Sequence, residues 1–342
     1  MNRFNALLRM ATPLLRPIYA GAGVILMFHR ILPADARPRL PGPAALEITP
    51  EMLERTITFF AKRGYVVFSP DDLHQFLVGE KRIDRPFVLF TFDDGYADNL
   101  TYAYPIFKKY NIPFSIYVST CFPERTAVIW WYLLEDLILQ RKRIEFEHEG
   151  RLYEFPCGTH DEKAATFAAL RAMFKFANVT QRAALTQSIL YTHKVDVLRK
   201  VDEIALTWKQ LRELASDPLV TLGAHTANHY VLSVLADHEV VFEIAESKRL
   251  LENHLERGVD HFAYPFGNRR EAGKREFRIA AECGFKTAMT TRFGNIFRAH
   301  ASHLTALPRC DTAQFSVPHA LDLVASGMLS ARLNRLRRIV TE

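Results

Sequence analysis

The feature that most limits how this chain can fold is a repeated alternation of short apolar runs with stretches of helical spacing. The runs GVILMF at 23–28 and FVLFTF at 87–92 are too short for helices and too apolar for strands with one solvated face. Both are therefore predicted to be strands buried on both faces. Thr49 and Pro50 open a predicted helix after the first run, and a strand is predicted at 65–68.

The alternation continues to residue 289. Strands that alternate with helices predict a parallel β/α architecture, in which ligands are expected at the carboxyl ends of the strands. The further predicted strands cover 113–118, 219–223, 261–264 and 285–289, and the further predicted helices cover 99–110, 237–255 and a segment that ends before Gly284.

The stretch 122–209 interrupts this alternation with a mostly helical pattern. No linker rich in Gly, Ser or Pro flanks it, so we expect an insertion that covers the barrel and not an independent domain. The predicted organisation is a single barrel domain over 21–310 with this insertion, between a basic amphipathic segment at 1–20 and a basic helical tail at 311–342.

Both terminal segments combine arginines with apolar residues. Residues 1–20 contain no Asp or Glu, and the tail sets four leucine or isoleucine residues against four arginines. These ends are expected either to contact an anionic membrane peripherally or, more commonly for such segments, to dock on the body with solvated arginines. The net charge of +6 allows an anionic partner without implying one, and no nucleic-acid-binding motif is present.

The sequence shows no targeting signal and no cysteine motif. No run approaches the about 18 apolar residues of a membrane span, and arginines and prolines interrupt the first 23 residues, so neither a signal peptide nor a transmembrane helix is predicted. A cytoplasmic location fits best. The four cysteines are widely spaced without a C-x-x-C pair, which predicts reduced thiols.

Two adjacent carboxylates, in the sequence TFDDGY, end the strand predicted at 87–92. Asp93 and Asp94 face opposite sides of an extended strand unless Gly95 turns the chain there. Adjacent acids at the end of a buried strand need cations or a metal to offset their charge. The alternative is a pair that caps the following helix, and this motif alone leaves both open.

A second polar cluster, HTANH at 225–229, follows the strand predicted at 219–223. In an extended strand His225 and His229 would lie roughly 13 Å apart, but on a turn of helix both reach one metal ion. Histidines at this spacing are often unrelated. Combined with an acid pair at the mouth of another strand, they form the His-His-carboxylate set of catalytic zinc sites.

The motifs TFDDGY at 91–96, HTANH at 225–229 and AYPFG at 263–267 resemble, in order, those of the polysaccharide deacetylases. This is carbohydrate esterase family four, with the NodB-like chitooligosaccharide deacetylases. The resemblance covers roughly 20–120 and 205–310. It implies an α/β fold, a distorted barrel of seven β/α units, with metal-dependent N-deacetylation of glycans.

Carried over to this chain, the resemblance implies that Asp94, His225 and His229 are metal ligands and that Asp93 is the general base that activates a metal-bound water. It also implies that the main-chain N–H of Phe266 donates to the oxyanion formed from the acetamide carbonyl. Zinc is the expected ion from the ligand types, and cobalt, nickel or iron accept the same ligands. No nucleotide cofactor is expected.

The general acid departs from the usual family pattern, which takes it from a Leu-x-His motif near the C-terminus. His300, His303 and His319 lie in that region, but none stands in this form. His29, in MFHR at the end of the first strand, resembles the N-terminal histidine of a permuted branch that includes bacterial poly-N-acetylglucosamine deacetylases. His29 is therefore the candidate acid, with a hydrogen-bonded histidine at a strand end as the alternative.

A second departure is Ala263, which stands where the family often has an arginine paired with the base aspartate. Arg30, which follows His29, is the predicted substitute for that arginine.

The expected function is removal of N-acetyl groups from N-acetylglucosamine-type oligo- or polysaccharide. The alternatives are an exopolysaccharide O-deacetylase or deformylase on the same metal site, or a catalytically silent glycan-binding relative, which the intact ligands and base disfavour. Aromatic side chains stack on sugar rings, although core packing is expected for at least two of the candidates. These are Tyr96, Trp130, Trp131 and Trp208.

Overall fold

The computed structural model describes residues 15–35, 37–311 and 319–341. The strands are β1 (Gly23–Phe28), β2 (Arg30–Ile31), β3 (Glu47–Ile48), β4 (Val66–Val67), β5 (Phe87–Phe92), β6 (Phe114–Val118), β7 (Arg143–His148), β8 (Arg151–Pro156), β9 (Val220–Ala224), β10 (His261–Ala263), β11 (Thr287–Phe293) and β12 (Leu307–Asp311). The α-helices are α1 (Pro41–Ala44), α2 (Pro50–Ala61), α3 (Pro70–Val78), α4 (Tyr104–Tyr110), α5 (Trp130–Gln140), α6 (His160–Lys175), α7 (Val179–Leu185), α8 (Val197–Ile204), α9 (Trp208–Ala215), α10 (Asp237–Leu255), α11 (Lys274–Glu282), α12 (Ala320–Ala325) and α13 (Met328–Leu333). Short π or 3-10 turns cover Asn99–Ala103, Thr186–Tyr191, Leu232–Val234 and Arg298–His303.

Seven parallel strands close into a barrel in the order β1, β5, β6, β9, β10, β11, β12 and back to β1. The first strand makes the closure, because it pairs with β5 along its whole length and with β12 at Leu26 and Met27. The seven-stranded β/α barrel expected from the resemblance is confirmed. The strand predicted at 65–68 is only the short β4 beside the start of β5, and the seventh barrel strand is β12, which the apolar pattern does not indicate.

The alternation of side chains along each strand separates an inner core from an outer one. In β1, Val24, Leu26 and Phe28 pack outward in the layer between sheet and helices, while Ile25 belongs to the inner core. Because this period of two continues past the strand end, His29 emerges on the inner side, at the carboxyl mouth of the barrel.

The stretch 122–209 folds as α5 to α8 and the start of α9, together with the antiparallel hairpin β7–β8. The hairpin strand at 143–148 alternates exposed and buried residues, a period that marks a half-buried strand within an otherwise helical stretch. Trp130 and Trp131 lie in a hydrophobic core of this region that is separate from the two barrel cores. This core rests on the carboxyl mouth through Tyr96, which follows β5.

The described part of the C-terminal tail packs on the outside of the barrel. Leu321 and Val324 of α12 join the outer core, and Asn334 donates to the Phe293 carbonyl at 2.7 Å. Within the described ranges, no helix has the length and apolar content needed to cross a bilayer.

Candidate active site

Asp93 and Asp94 lie side by side at the carboxyl end of β5, and both are buried. Asp94 has φ 76° and Gly95 has φ 96°, so the chain reverses immediately after Asp93. This left-handed conformation is uncommon for a residue with a side chain. It gives the two carboxylates different directions: Asp93 continues the strand alternation into the barrel, and Asp94 turns toward the loop that follows β9.

That loop brings both predicted histidines to Asp94. The Nε2 atom of His225 lies 3.3 Å from Asp94 Oδ1, and the Nε2 atom of His229 lies 3.0 Å from the same oxygen. The expected helical turn is wrong, because residues 225–229 form a bend without helix. Left-handed φ values of 67° at Thr226 and 54° at His229 fold the loop, and the Thr226 hydroxyl accepts from the His229 N–H at 3.1 Å.

The hydrogen bonds of this cluster point acceptor atoms toward one another. His225 Nδ1 donates to the carbonyl of Ala263 at 2.7 Å, and this bond orients the ring so that Nε2 faces Asp94. Burial lowers the pKa of His229, which leaves its ring neutral at pH 7. No donor is found for Asp94 Oδ1 among the described residues.

A carboxylate oxygen and two imidazole nitrogens are the donors that zinc and related ions prefer. One ligand atom from each of Asp94, His225 and His229 lies within 4.8 Å of the others. Buried acceptors that face each other without a donor are costly, and a divalent cation among them removes that cost. The residues present therefore fit a metal ion.

Asp93 is held by Arg309, which sequence reasoning missed. Arg309 Nη1 and Nη2 donate to the two oxygens of Asp93, each at 2.7 Å, and Arg309 is fully buried. The same guanidinium donates to the Thr290 carbonyl at 2.9 Å and the Thr91 hydroxyl at 3.2 Å. Burial alone would raise the pKa of Asp93, but Arg309 holds that pKa below its ordinary value. Asp93 is therefore ionised at neutral pH.

The predicted pairing of Arg30 with the base is wrong. Arg30 Nε donates to Asp98 Oδ2 at 2.7 Å, and its guanidinium lies 5.0 Å from the ring centre of Tyr96. The alternation of side chains explains this, since adjacent residues face opposite sides of a strand. His29 faces the barrel interior, so Arg30 faces away from Asp93.

His29 lines the cavity over the acid pair and the two cluster histidines, a space of about 210 Å³. His300 and His303 belong to the turn after Ile296, which pairs with Gly23 at the opposite, amino end of β1. Burial lowers the pKa of His300 to about 4. His319 precedes α12, and none of these three alternatives lines the cavity.

Phe266 lies at the cavity edge in a left-handed conformation, with φ 59°. Its carbonyl accepts from the Thr291 hydroxyl, and its ring contacts that of His229 with centroids 5.1 Å apart. No acceptor is found for the Phe266 N–H within the part of the chain that the structure describes. The main-chain donor expected from the resemblance is thus free to meet a ligand.

The insertion supplies one wall of the cavity, through Trp130, Trp131, Phe167 and Arg171. The other two aromatic candidates lie elsewhere. Trp208 stacks on His254 at 3.8 Å outside the cavity, and Tyr96 is fully buried, where its hydroxyl accepts from the Trp131 indole N–H at 2.9 Å.

Two further buried residues, which belong to no motif of the sequence, hold the loop at 225–229, here called the histidine loop, from opposite sides. Arg182 of α7 donates to the carbonyls of Asn228 and His229 at 3.3 and 3.1 Å and covers the ring of Tyr230. Glu243 of α10 accepts from the Asn228 main-chain N–H and side-chain amide, both at 2.8 Å. Burial lowers the pKa of Arg182 to about 10 and raises that of Glu243. Their sequence signal is only a charge within an amphipathic helix, which is ordinarily a solvated position.

Comparisons with known proteins agree with this architecture. A family model described as polysaccharide deacetylase matches residues 80–288, more than half of the chain. The Bacillus subtilis (strain 168) protein YxkH, which is assigned to the polysaccharide deacetylases, is 21% identical over 270 residues, with 79% of this chain covered. The match spans 64% of YxkH, so this chain corresponds to less than two thirds of that relative.

Two solved structures share the fold. The Streptococcus pyogenes deacetylase PplD, in complex with acetate, has a TM-score of 0.56 at 21% identity, covering 90% of this chain and 96% of PplD. IcaB from Ammonifex degensii has a TM-score of 0.55 at 18% identity, covering 90% of this chain and 97% of IcaB.

Proposed function

The chain belongs to the polysaccharide deacetylase family, and we propose that it is a metal-dependent hydrolase that removes N-acetyl groups from N-acetylglucosamine-type oligo- or polysaccharides. One observation carries this proposal: a carboxylate kept ionised by a buried arginine stands beside a cluster of three metal donors in one cavity. A base next to a Lewis-acid site is the arrangement that hydrolysis of an unreactive amide requires.

Asp94, His225 and His229 are the residues proposed to hold the metal, with zinc as the first candidate and cobalt, nickel or iron as others. Bound there, a divalent ion supplies Lewis acidity, which lowers the pKa of a water and polarises an acyl carbonyl.

Asp93 is proposed to take the proton from the attacking water. Arg309 occupies one lone pair on each Asp93 oxygen and fixes the plane of the carboxylate. The remaining lone pairs can accept a proton, and both are pre-oriented because the pair is buried. Arg309 is thus proposed as a positioning residue for the base.

The carbonyl oxygen becomes an oxyanion when water adds to the acetamide carbon, and the N–H of Phe266 is proposed to donate to it. The tetrahedral species then expels an amine, which needs a proton. His29 lies in the same cavity and is proposed to supply it. Trp130 and Trp131 are proposed to contact the sugar ring from the insertion side.

The test is acetate and formate release from chitooligosaccharides, O-acetylated polysaccharides and N-formyl sugars, with chelator-stripped protein restored with zinc or cobalt. Metal-dependent acetate from the N-acetyl substrate is expected, and it should vanish in Asp93→Asn. Asp98→Asn is the matched control, because Asp98 is also buried and paired with an arginine but lies outside the cavity. That variant should keep its turnover per folded molecule.

The other products decide between the alternatives. Formate, or acetate from esters alone, would replace the N-acetyl assignment by a deformylase or O-deacetylase on the same site. Metal binding with glycan binding but no product would show a silent glycan-binding relative.

A further inference from the structure

The amino end of the barrel, opposite the cavity, carries a cluster of arginines. Arg16, Arg85 and Arg298 line one shallow depression there. Its other lining includes Ala22 and Pro86, the residues that immediately precede β1 and β5. The arginines therefore surround the starts of the barrel strands.

The C-terminal tail adds charge on the same end. Arg338 lies over the ring of Phe297, 5.8 Å from its centroid, and Phe297 is adjacent to Ile296, which pairs with Gly23 at the start of β1. Arg335 and Arg337 are exposed. We call the surface formed by these residues, the three arginines above and the exposed apolar residues nearby the amino-end face.

Large apolar side chains stand exposed among these arginines. Leu336 is 64% exposed and Leu333 is 51% exposed, and Ile18, two residues after Arg16, is 46% exposed. The backbone has left-handed φ values of 51° at Arg335 and 66° at Leu336, which costs energy for residues with side chains. The tail beyond is anchored, because Val340 is buried. Leu336 is therefore held outward on a fixed segment.

One acidic residue, Asp84, lines the depression and lies 3.9 Å from Arg85, but the two terminal segments carry few acidic residues. The sequence has no Asp or Glu before Asp35 and none between Asp322 and Glu342. Residues 1–14 of the predicted basic segment lie outside the described structure. Asp322 is itself paired with an arginine, Arg63, at 2.7 Å.

We propose that the amino-end face docks on an anionic lipid bilayer. Interleaved arginine and leucine side chains match the charged headgroups and the acyl boundary of such a surface, as in interfacial helices. A nucleic acid would use the charge but leave the exposed leucines without a partner. This inference does not depend on the proposed function.

Docking at this end leaves the catalytic cavity accessible. The six residues of β1 separate the two ends of the barrel, which at about 3.3 Å per residue is roughly 20 Å. Changes on the amino-end face should therefore leave turnover of a soluble substrate unchanged.

The experiment is co-flotation of the full chain with vesicles of phosphatidylcholine, either pure or with about 30% phosphatidylglycerol. Binding to the acidic vesicles alone is expected, and it should be lost at about 0.5 M salt. The variant R335Q/R337Q should bind about 25-fold more weakly, from roughly fivefold for each arginine. The matched control R125Q/R278Q removes the same charge from exposed arginines elsewhere and should bind as the parent chain does.

A second variant tests the apolar half of the proposal. Leu336→Ser keeps every charge, so weaker flotation of this variant supports insertion of the leucine into the boundary of the bilayer. Failure of the parent chain to float with acidic vesicles would overturn the proposal. So would equal losses in R335Q/R337Q and the control, or tighter binding to duplex DNA than to acidic vesicles at the same salt.

Discussion

Replacement of Arg309 by Met should destabilise the protein and also impair Asp93 as the proposed general base. The fully buried guanidinium makes two 2.7 Å hydrogen bonds to Asp93, and methionine keeps much of its volume without its charge. Removal of one partner of a buried ion pair costs about 3–5 kcal/mol, because the other charge is left unpaired. At about 2–4 °C per kcal/mol for a large domain, the midpoint of thermal unfolding should fall by roughly 6–20 °C.

The stability lost in Arg309→Met should depend on pH, and the direction of this dependence tests whether Asp93 is the partner of Arg309. In the parent chain the pKa of Asp93 is lower in the folded state than in the unfolded state, where it is about 3.9. The Asp93–Arg309 pair therefore stabilises the folded protein fully above about pH 3.9, and this stabilisation is lost as the pH falls through the pKa of Asp93 in the folded state. Without Arg309, burial raises the pKa of Asp93 above its unfolded value. The sign then reverses, and the variant loses stability as the pH rises through the raised pKa.

The assay is thermal unfolding of the parent and Arg309→Met between about pH 5 and pH 8, together with the pH dependence of kcat/KM. The gap between the two unfolding midpoints should widen toward alkaline pH, and the acid limb of kcat/KM should move to higher pH. Arg292→Met is the matched control, because Arg292 is also a buried strand arginine but does not line the cavity. If the difference between the two unfolding midpoints stays constant with pH, and the acid limb of kcat/KM does not move in the folded variant, Arg309 is not the residue that keeps Asp93 ionised.

Three further predictions concern the same cavity. His29→Gln should lower kcat for an N-acetyl substrate by about 10²–10⁴-fold but spare an activated aryl ester, whose leaving group needs no proton; equal losses on both would exclude His29 as the acid. Asp94→Asn should weaken zinc binding, measured by competition with a chromogenic chelator, and unchanged affinity would remove Asp94 from the ligand set. Arg182→Met should weaken zinc affinity by about 10–100-fold, because the hydrogen bonds from Arg182 to the carbonyls of Asn228 and His229 are lost. Arg125→Met in the same insertion should leave the affinity unchanged. Similar zinc affinities of the two variants would show that Arg182 does not support the histidines.

The barrel and the convergence of the metal donors follow from local patterns. Buried parallel strands are short and continuously apolar, and their ends meet at one mouth, so Asp94 and His225 could be expected together. The geometry of the histidine loop could not be predicted. Its left-handed φ values at Thr226 and His229 occur in a loop that long-range contacts from Arg182 and Glu243 hold, and propensity does not encode such contacts.

The missed elements share a physical cause. The strand β12 has the sequence LPRCD, in which Pro308 and Arg309 mask the apolar signal. A buried arginine is stable only with its partner, and that partner is distant in sequence, so no local window reveals it. The prediction that Arg30 pairs with Asp93 was wrong because it relied on closeness in sequence. The alternation of side chains between the two faces of a strand decides which side chains meet.

The distance in sequence between Asp93 and Arg309, 216 residues, has a consequence for synthesis of the protein. All three proposed metal donors have left the ribosome once residue 229 has emerged. The counterion of the proposed base lies 80 positions further on, about 4–16 s later at ordinary translation rates. The barrel cannot close before β12 arrives. A nascent chain can therefore bring the proposed metal donors together while the proposed base is still unpaired, and the site is complete only when the last strand docks.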